Sequence, residues 1–333
     1  MTTRRTSLKA TLGLLLPSIG TALLSSPGTA RAQGFPSKPV RVVTPFPAGS
    51  GPDAALRLVS EQLSKKWGQQ VVIDNKPGGN GFIAISAFKQ GTTDGHDLVQ
   101  LDNNHLTTHP HSFSKLPFDP ERDFTPLRML LRTWFFVAVA TDSPYKTVDD
   151  IVTAAKASPG KVNYGSWFTG SPGHMGALKL QSMKEAQMTH IPFRDFGQLY
   201  AAVASKEVDW ALGSVASAGS LERAGKLRFI ALAGPTRDPL YPNVPSTSES
   251  ASTKGFEISG WTALAGAGGM GPALRDQLSA DIAGALAVPE VVERYRTLGY
   301  EAPLLDPRAL AELIKRESRS WSETIRMANL KLD

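Results

Sequence analysis

The sequence contains no cysteine among its 333 residues. This absence excludes disulfide bonds, thiolate nucleophiles and cysteine-ligated zinc sites, so packing alone must stabilise the fold. Beyond residue 32 no apolar run reaches the roughly 20 residues that a membrane-spanning helix needs. The net charge there is also small, since 32 Lys and Arg residues are balanced by 30 Asp and Glu residues. Without a basic stripe, we expect no nucleic-acid partner.

The first 32 residues are typical of an export signal. A basic start, Thr3–Lys9, precedes the apolar run Ala10–Leu24 and the small-residue pattern Ala30-Arg31-Ala32. We expect cleavage after Ala32 and a periplasmic mature protein. The basic start resembles the twin-arginine motif except that Ser7 stands where that motif usually has Phe, so the general secretory and twin-arginine routes both remain open.

Beyond Gln33, short β-branched runs alternate with amphipathic stretches, which indicates an α/β fold with mostly parallel sheets flanked by helices. In Asp53–Trp67, for example, apolar residues recur at helical spacing and predict one buried face. The predicted strands are Val40–Thr44, Val71–Asp74, Asp97–Leu101, Trp134–Ala140, Val162–Tyr164, Thr189–Phe193, Val208–Leu212 and Arg228–Ala233. The other predicted helices are Phe82–Lys89, Val148–Ala157, His174–Met183, Gln198–Ser205, Ala273–Leu286, Pro289–Tyr295 and Arg308–Ile325.

The length of the chain indicates two lobes. Composition changes at the proline-rich segments Leu116–Pro120 and Gly234–Pro245. We therefore predict that residues 33–135 and 236–333 form lobe 1 and residues 136–235 form lobe 2, with two strands crossing between them as hinges.

Three loops follow predicted strands and lead into predicted helices. They contain Ser50 and Gly51, the segment Ser166–Gly173, and the segment Arg194–Gly197. In open parallel sheets ligands gather at the carboxyl ends of strands, and helix starts offer free N–H groups that suit anions. The sequence therefore predicts an anion site where these loops meet.

The order and spacing of many short motifs resemble those of the tripartite tricarboxylate transporter receptors, also called the Bug family of periplasmic binding proteins. The segments that carry the resemblance are Phe35–Arg41, Pro45–Asp53, Val72–Gly79, Asp94–His96, Leu116–Pro120, Pro159–Tyr164, His190–Arg194, Val208-Asp209 and Ala224–Arg228. The resemblance implies a type 2 periplasmic-binding fold with the ligand in the cleft between the lobes. It implies capture of a small organic carboxylate for the membrane permease subunits of such a transporter, without catalysis or a cofactor, and we expect a monomer.

In that family, backbone amides, hydroxyls and bridging waters from the first and second loops hold one ligand carboxylate. Carried over by position, and with two residues that depart from the family pattern, the predicted ligand-binding residues are Phe46, Ala48, Ser50, Asp53, Ser166, Trp167, Thr169, Gly170, His174 and Asp195. Asp53 alternatively serves as a first-turn or capping residue of its helix.

The two departures among those residues are Trp167, which precedes Phe168 where the family has small residues, and Asp195, which replaces a common Gly. A third is Gly213, at a position where a pocket Asp is common. Without that carboxylate, we expect no ligand whose ammonium group would need it. Trp167 and Phe168 either wall an aromatic or bulky apolar carboxylate or pack inward.

Several alternatives have a weaker basis. The segment Gly266–Gly271 fits the dinucleotide pattern G-x-G-x-x-G, but the helix predicted at Pro289–Tyr295 stands where that fingerprint needs a strand. Pro110 lies between His109 and His111, and these two residues with His105 are predicted to form a loop rim rather than a metal site. A hydrolase using Ser166 and His174, or a sensor that presents the ligand to a signalling partner, also remains open.

Overall fold

The computed structural model describes residues 34–167 and 169–332; the predicted export signal and Phe168 lie outside the described residues. The strands are β1 Val40–Thr44, β2 Val71–Asn75, β3 Asp97–Asp102, β4 Phe124–Ala140, β5 Asn163–Ser166, β6 Thr189–Pro192, β7 Trp210–Gly213, β8 Leu227–Ala233 and β9 Ser259–Ala267. The helices are α1 Gly51–Trp67, α2 Phe82–Lys89, α3 Asn103–Thr107, α4 His109–Ser112, α5 Val148–Ala157, α6 Pro172–Lys184, α7 Phe196–Ala204, α8 Val215–Arg223, α9 Pro272–Leu286, α10 Pro289–Thr297 and α11 Pro307–Met327.

The strands form two groups that share β4. In the first group β1 lies between β2 and β3 in parallel, and β9 joins β3 to β4 in antiparallel pairing. In the second group β5 lies parallel to β6 and β7, while β4 pairs antiparallel with β7 and β8. We call these groups, with the helices packed on them, the first lobe and the second lobe.

The strand β4 changes partners at one point. Trp134 still pairs with Ser259 of β9, whereas Phe135 pairs with Ala233 of β8. The chain also passes between the two groups just before β9, where Ile258 bonds to Ala233 and to Phe135. The two crossings lie next to each other. The predicted α/β, two-lobed fold is confirmed. Our residue boundaries for the lobes stay a prediction.

Each lobe has a core on both faces of its sheet. In the first lobe Leu56 of α1 and Val42 are buried on one face and Val43 on the other, as alternation along β1 requires. In the second lobe Val137 and Phe136 divide in the same way. Helix α11 belongs to both lobes, because Leu313 lies in a first-lobe core while Trp321 packs against a second-lobe core.

Some predicted elements were wrong or missed. Strand β9, helix α8 and the first half of β4 were not predicted, and β7 begins at Trp210 rather than Val208. The loop rim predicted for the three histidines was also wrong. His105 lies in α3, and His109 and His111 lie in α4.

Candidate functional site

A buried carboxylate organises the loop between β1 and α1. Asp53, in the first turn of α1, is fully buried. Its carboxylate accepts hydrogen bonds from the Gly49 N–H at 2.8 Å, from Asn75 Nδ2 at 2.8 Å and from Arg57 Nε at 2.9 Å. Asn75 also donates to the Phe46 carbonyl at 2.9 Å. Asp53 is therefore a first-turn residue of α1, which was the alternative role considered for it, and its carboxylate also holds the preceding loop in place.

Burial raises the pKa of the Asp53 carboxyl, but the bonds from Arg57, Asn75 and Gly49 lower it further, so the net shift is downward. The loop above it turns through Gly49, whose φ of +82° favours glycine. Ala48 is exposed at the tip of the loop.

The N-terminus of α1 has no side-chain cap. Ser50 occupies the N-cap position in extended conformation, and its side chain makes no capping bond. Its Oγ is nevertheless buried without a hydrogen-bond partner among the described residues. The peptide N–H groups of Gly51 and Asp53 have no carbonyl one turn earlier in the helix to bond to. Hydroxyl and amides together form a set of donors that suits an anion.

The loop after β5 is held by the start of α6. The Gly170 N–H donates to His174 Nδ1 at 2.9 Å, and the His174 N–H donates to the Ser171 Oγ at 3.3 Å. Gly170 has a φ of +87°. Thr169, beside it, is exposed. His174 therefore closes the turn that leads into α6.

An imidazole that our sequence reasoning did not select contacts the predicted serine. The Ser166 Oγ lies 2.7 Å from His190 Nε2. The His190 ring stacks on His174, with centroids 4.0 Å apart, and on Tyr164, with centroids 5.1 Å apart. Strand register explains the cluster, because β5 and β6 are parallel with Tyr164 opposite His190.

Burial lowers the pKa of His174 to about 3 and that of His190 to about 4. The neighbouring imidazole lowers the His174 pKa further. Both rings are neutral at pH 7, so they orient the loop and its serine without adding charge to the site. In the pairing predicted for a hydrolase, His174 would have served Ser166, but its Nδ1 accepts from Gly170 instead.

Trp167 packs on the second lobe, between its two cores. Its ring lies 5.5 Å from Phe135 and 5.2 Å from Phe196, and the indole closes against Gly173. Asp195 caps α7, with its Oδ1 accepting from the Gln198 N–H at 2.8 Å. Trp167 thus packs inward, and Asp195 serves as a helix cap. The ligand contacts predicted for both residues stay predictions.

Gly213 ends β7 against a crowded wall. A Cβ at this position would lie 2.8 Å from the Ala218 Cβ and 3.0 Å from the Tyr200 Oη. The Tyr200 hydroxyl donates to the Leu212 carbonyl and contacts the Ser217 Oγ. This wall, formed by Ala218 and Tyr200, is uncharged.

Two sets of contacts join different parts of the fold near these loops. Val215, which begins α8, packs against Gly299, and the hydroxyl of the adjacent Tyr300 lies against Gly51 at the start of α1. In the second set, Leu332 donates its N–H to the Ser112 carbonyl at 2.9 Å and packs on Gly170. One contact therefore adjoins the start of α1, and the other adjoins the loop before α6.

A model of the tripartite tricarboxylate transporter family receptor matches residues 55–330. The chain belongs to this receptor family. This receptor is similar to the UPF0065 protein in the tcbD-tcbE intergenic region of Pseudomonas sp. strain P51, with 30% identity over 92% of each chain.

Solved structures agree with that assignment. A periplasmic transporter is 28% identical with a TM-score of 0.77, covering 90% of this receptor and 100% of that chain. MatC from Rhodopseudomonas palustris with bound malate is 27% identical with a TM-score of 0.75, covering 87% of this receptor and 100% of that chain. The family is one of solute-binding receptors. Across the described part of the receptor, every helix is too short or too polar to cross a bilayer.

Proposed function

We propose that this receptor captures a small organic carboxylate in the space between its lobes and delivers it to the membrane permease subunits of a tripartite tricarboxylate-type transporter. The buried, unpartnered Oγ of Ser50 at the uncapped start of α1 is the observation that carries the proposal. A carboxylate placed there would accept from that hydroxyl and from the Gly51 and Asp53 amides. MatC, a relative of the same fold, binds malate.

The proposed ligand site comprises residues from both lobes. In the first lobe Asp53 holds the loop that carries the donors, and in the second the Ser166–His190 pair and the Gly170 turn would complete the site on closure. The complete proposed set is Phe46, Ala48, Ser50, Asp53, Ser166, Trp167, Thr169, Gly170, His174 and Asp195. The neutral wall at Gly213 supports a ligand without an ammonium group, and the half-buried Trp167 supports an apolar or aromatic body.

We further propose the lobe division made from the sequence, with lobe 1 comprising residues 33–135 and 236–333 and lobe 2 residues 136–235. Phe256 and Ile258 nevertheless pack with a core of the second lobe, so we amend this division and propose that the stretch just before β9 moves with lobe 2 during closure. Removal of residues 1–32 and release into the periplasm as a monomer complete the proposal.

The test is calorimetric titration of the purified receptor with aliphatic mono-, di- and tricarboxylates and with aromatic carboxylates. We expect one class to bind, and Ser50→Ala to weaken that binding by about 10- to 150-fold, because a hydrogen bond to a charged group contributes ~1.5–3 kcal/mol. The ligand should be recovered chemically unchanged after incubation.

Ser60→Ala is the matched control. Ser60 lies on the same helix and its Oγ is also buried without a partner among the described residues, but it is distant in sequence from the loop. We expect this variant to bind normally. Equal effects of the two substitutions, or no heat with any carboxylate, would contradict the proposed site.

A further inference from the structure

A second cavity lies where the chain crosses between the lobes. It has a volume of about 460 Å³, and its walls come from β4, α6, the segment before β9, and α11. None of the residues proposed above for the ligand site lines it. The lining residues are Arg132, Trp134, Lys179, Pro235, Glu257, Ser259, Leu313, Arg316, Glu317, Ser320 and Trp321.

The guanidinium of Arg132 is incompletely partnered at this cavity. Its Nε is buried and has no hydrogen-bond partner among the described residues. The contact observed for the group is with the Trp134 ring, 5.6 Å from the guanidinium carbon to the ring centroid. Leaving a charged donor buried and unsatisfied is costly, so such groups usually bind something.

Two more cations line the same cavity. Lys179 Nζ donates to the backbone carbonyl of Glu257 at 3.2 Å rather than to a carboxylate, and burial lowers its pKa. Within residues 34–167 and 169–332, no ion pair shorter than 4 Å joins Arg132, Lys179 or Arg316 to an acidic side chain.

Two acidic side chains are present and interact electrostatically with the cations, but neither forms a close ion pair with them among the described residues. Glu317 accepts from Trp261 Nε1 at 2.8 Å, and Glu257 is exposed. The lining therefore carries three cationic and two acidic residues, an excess of one positive charge. This excess suits a ligand with one anionic group.

The cavity also offers flat apolar surface. Trp134 and Trp321 line it together with Leu313 and Pro235. A volume of this order lies within the range that small-molecule sites usually have, and is larger than an inorganic ion needs. Aromatic bodies pack well against indole rings.

We propose that this cavity is a second ligand site, which binds an aromatic monocarboxylate with its carboxylate on Arg132 and Arg316 and its ring against Trp134 and Trp321. Because its walls come from both lobes, occupancy is coupled to their relative position. The cavity shares no lining residue with the carboxylate site proposed between the α1 and α6 loops.

The test uses benzoate and receptor labelled with 5-fluorotryptophan. The chain has six tryptophans, whose fluorine signals are assigned with single Trp→Phe variants. We expect benzoate to shift the Trp134 and Trp321 signals saturably. The Trp167 signal reports separately on the interlobe space, so the two sites are distinguished in one titration.

Arg132→Gln and Arg316→Gln should each raise the benzoate concentration that half-saturates the Trp321 shift by about tenfold, the loss of affinity expected for one charge-assisted hydrogen bond. Arg319→Gln, an exposed change of the same charge on α11, should leave it unaltered, as should Ser50→Ala. The second-site proposal is overturned if only the Trp167 signal moves, if no signal saturates, or if Arg319→Gln weakens binding as much as Arg316→Gln. Should Arg132→Gln fail to fold, the Arg316 and Arg319 pair decides alone.

Discussion

Replacing Asp53 with alanine removes the carboxylate that fixes the first-lobe loop. Two of its bonds, from the Gly49 N–H and Asn75 Nδ2, are 2.8 Å long and end on a fully buried side chain. Each such bond to a charged group contributes ~1.5–3 kcal/mol. The third partner, Arg57, has a half-exposed side chain, so that ion pair adds at most ~1 kcal/mol. We expect Asp53→Ala to lower the free energy of unfolding by about 3–7 kcal/mol.

Urea titration followed by circular dichroism measures this loss. Glu61→Ala is the matched control, because Glu61 pairs with Lys65 on the same helix with the same i,i+4 spacing, while both side chains are more than half exposed. That variant should lose less than ~1 kcal/mol. If the two substitutions cost the same, the carboxylate of Asp53 does not hold the loop.

The pH dependence gives an independent check. Because the folded-state pKa of Asp53 lies below its ordinary value of 3.8, its contribution is complete above that value and is lost as the pH falls through the folded-state pKa. The stability difference between the receptor and Asp53→Asn should therefore shrink below about pH 4. A difference that stays constant down to pH 2 would contradict the assignment.

Three further changes probe the interlobe walls. Gly170→Ala should destabilise the receptor by about 1–3 kcal/mol through its positive φ and its contact with Leu332, and Leu332→Ala should recover part of that loss in urea titrations. Gly213→Asp should lower the melting temperature through collision with Tyr200, without creating affinity for amino acids in calorimetry. His190→Gln should flatten the fall in stability between pH 6.5 and 4. With a folded-state pKa of about 4, His190 stays neutral in the folded protein over this range while the unfolded chain takes up a proton, so folding is progressively disfavoured as the pH falls.

Each of these changes has a result that would refute it. Full recovery of Gly170→Ala by Leu332→Ala would mean that backbone strain contributes nothing. A stable Gly213→Asp variant that binds amino acids would mean that the wall can move. An unchanged pH profile in His190→Gln would assign the acid sensitivity to other buried histidines, such as His105 and His109, whose pKa values burial also lowers.

The elements that the sequence predicted correctly are those with strong periodicity. Helix α5, Val148–Ala157, was predicted to the residue, since a Thr147 capping box and a regular apolar face mark it. The first half of β4 was missed because Pro126 and Arg128 interrupt its apolar run, and the pairing with β9 shifts register between them. Strand β9 was missed because glycine and alanine give it little β propensity.

The candidate site shows a similar division. Asp195 could have been predicted as a cap, because Gln198 follows three residues later in the order typical of a helix start. The partnership of Ser166 with His190 could not, since it depends on which strand lies beside β5 and in what register. Sequence spacing carries no information about that alignment.

Helix α11 bears on how a solute gains entry. Leu313 packs in a core of one lobe and Trp321 packs against a core of the other, so separation of the lobes must expose one of these side chains. Exposing a large apolar side chain costs ~1.5–3 kcal/mol, so the vacant receptor is biased toward its shut form. Capture is then slowed, because a solute can enter only the small fraction of molecules that are open at any moment, and substitutions at Trp321 would quicken its entry into the space between the α1 and α6 loops.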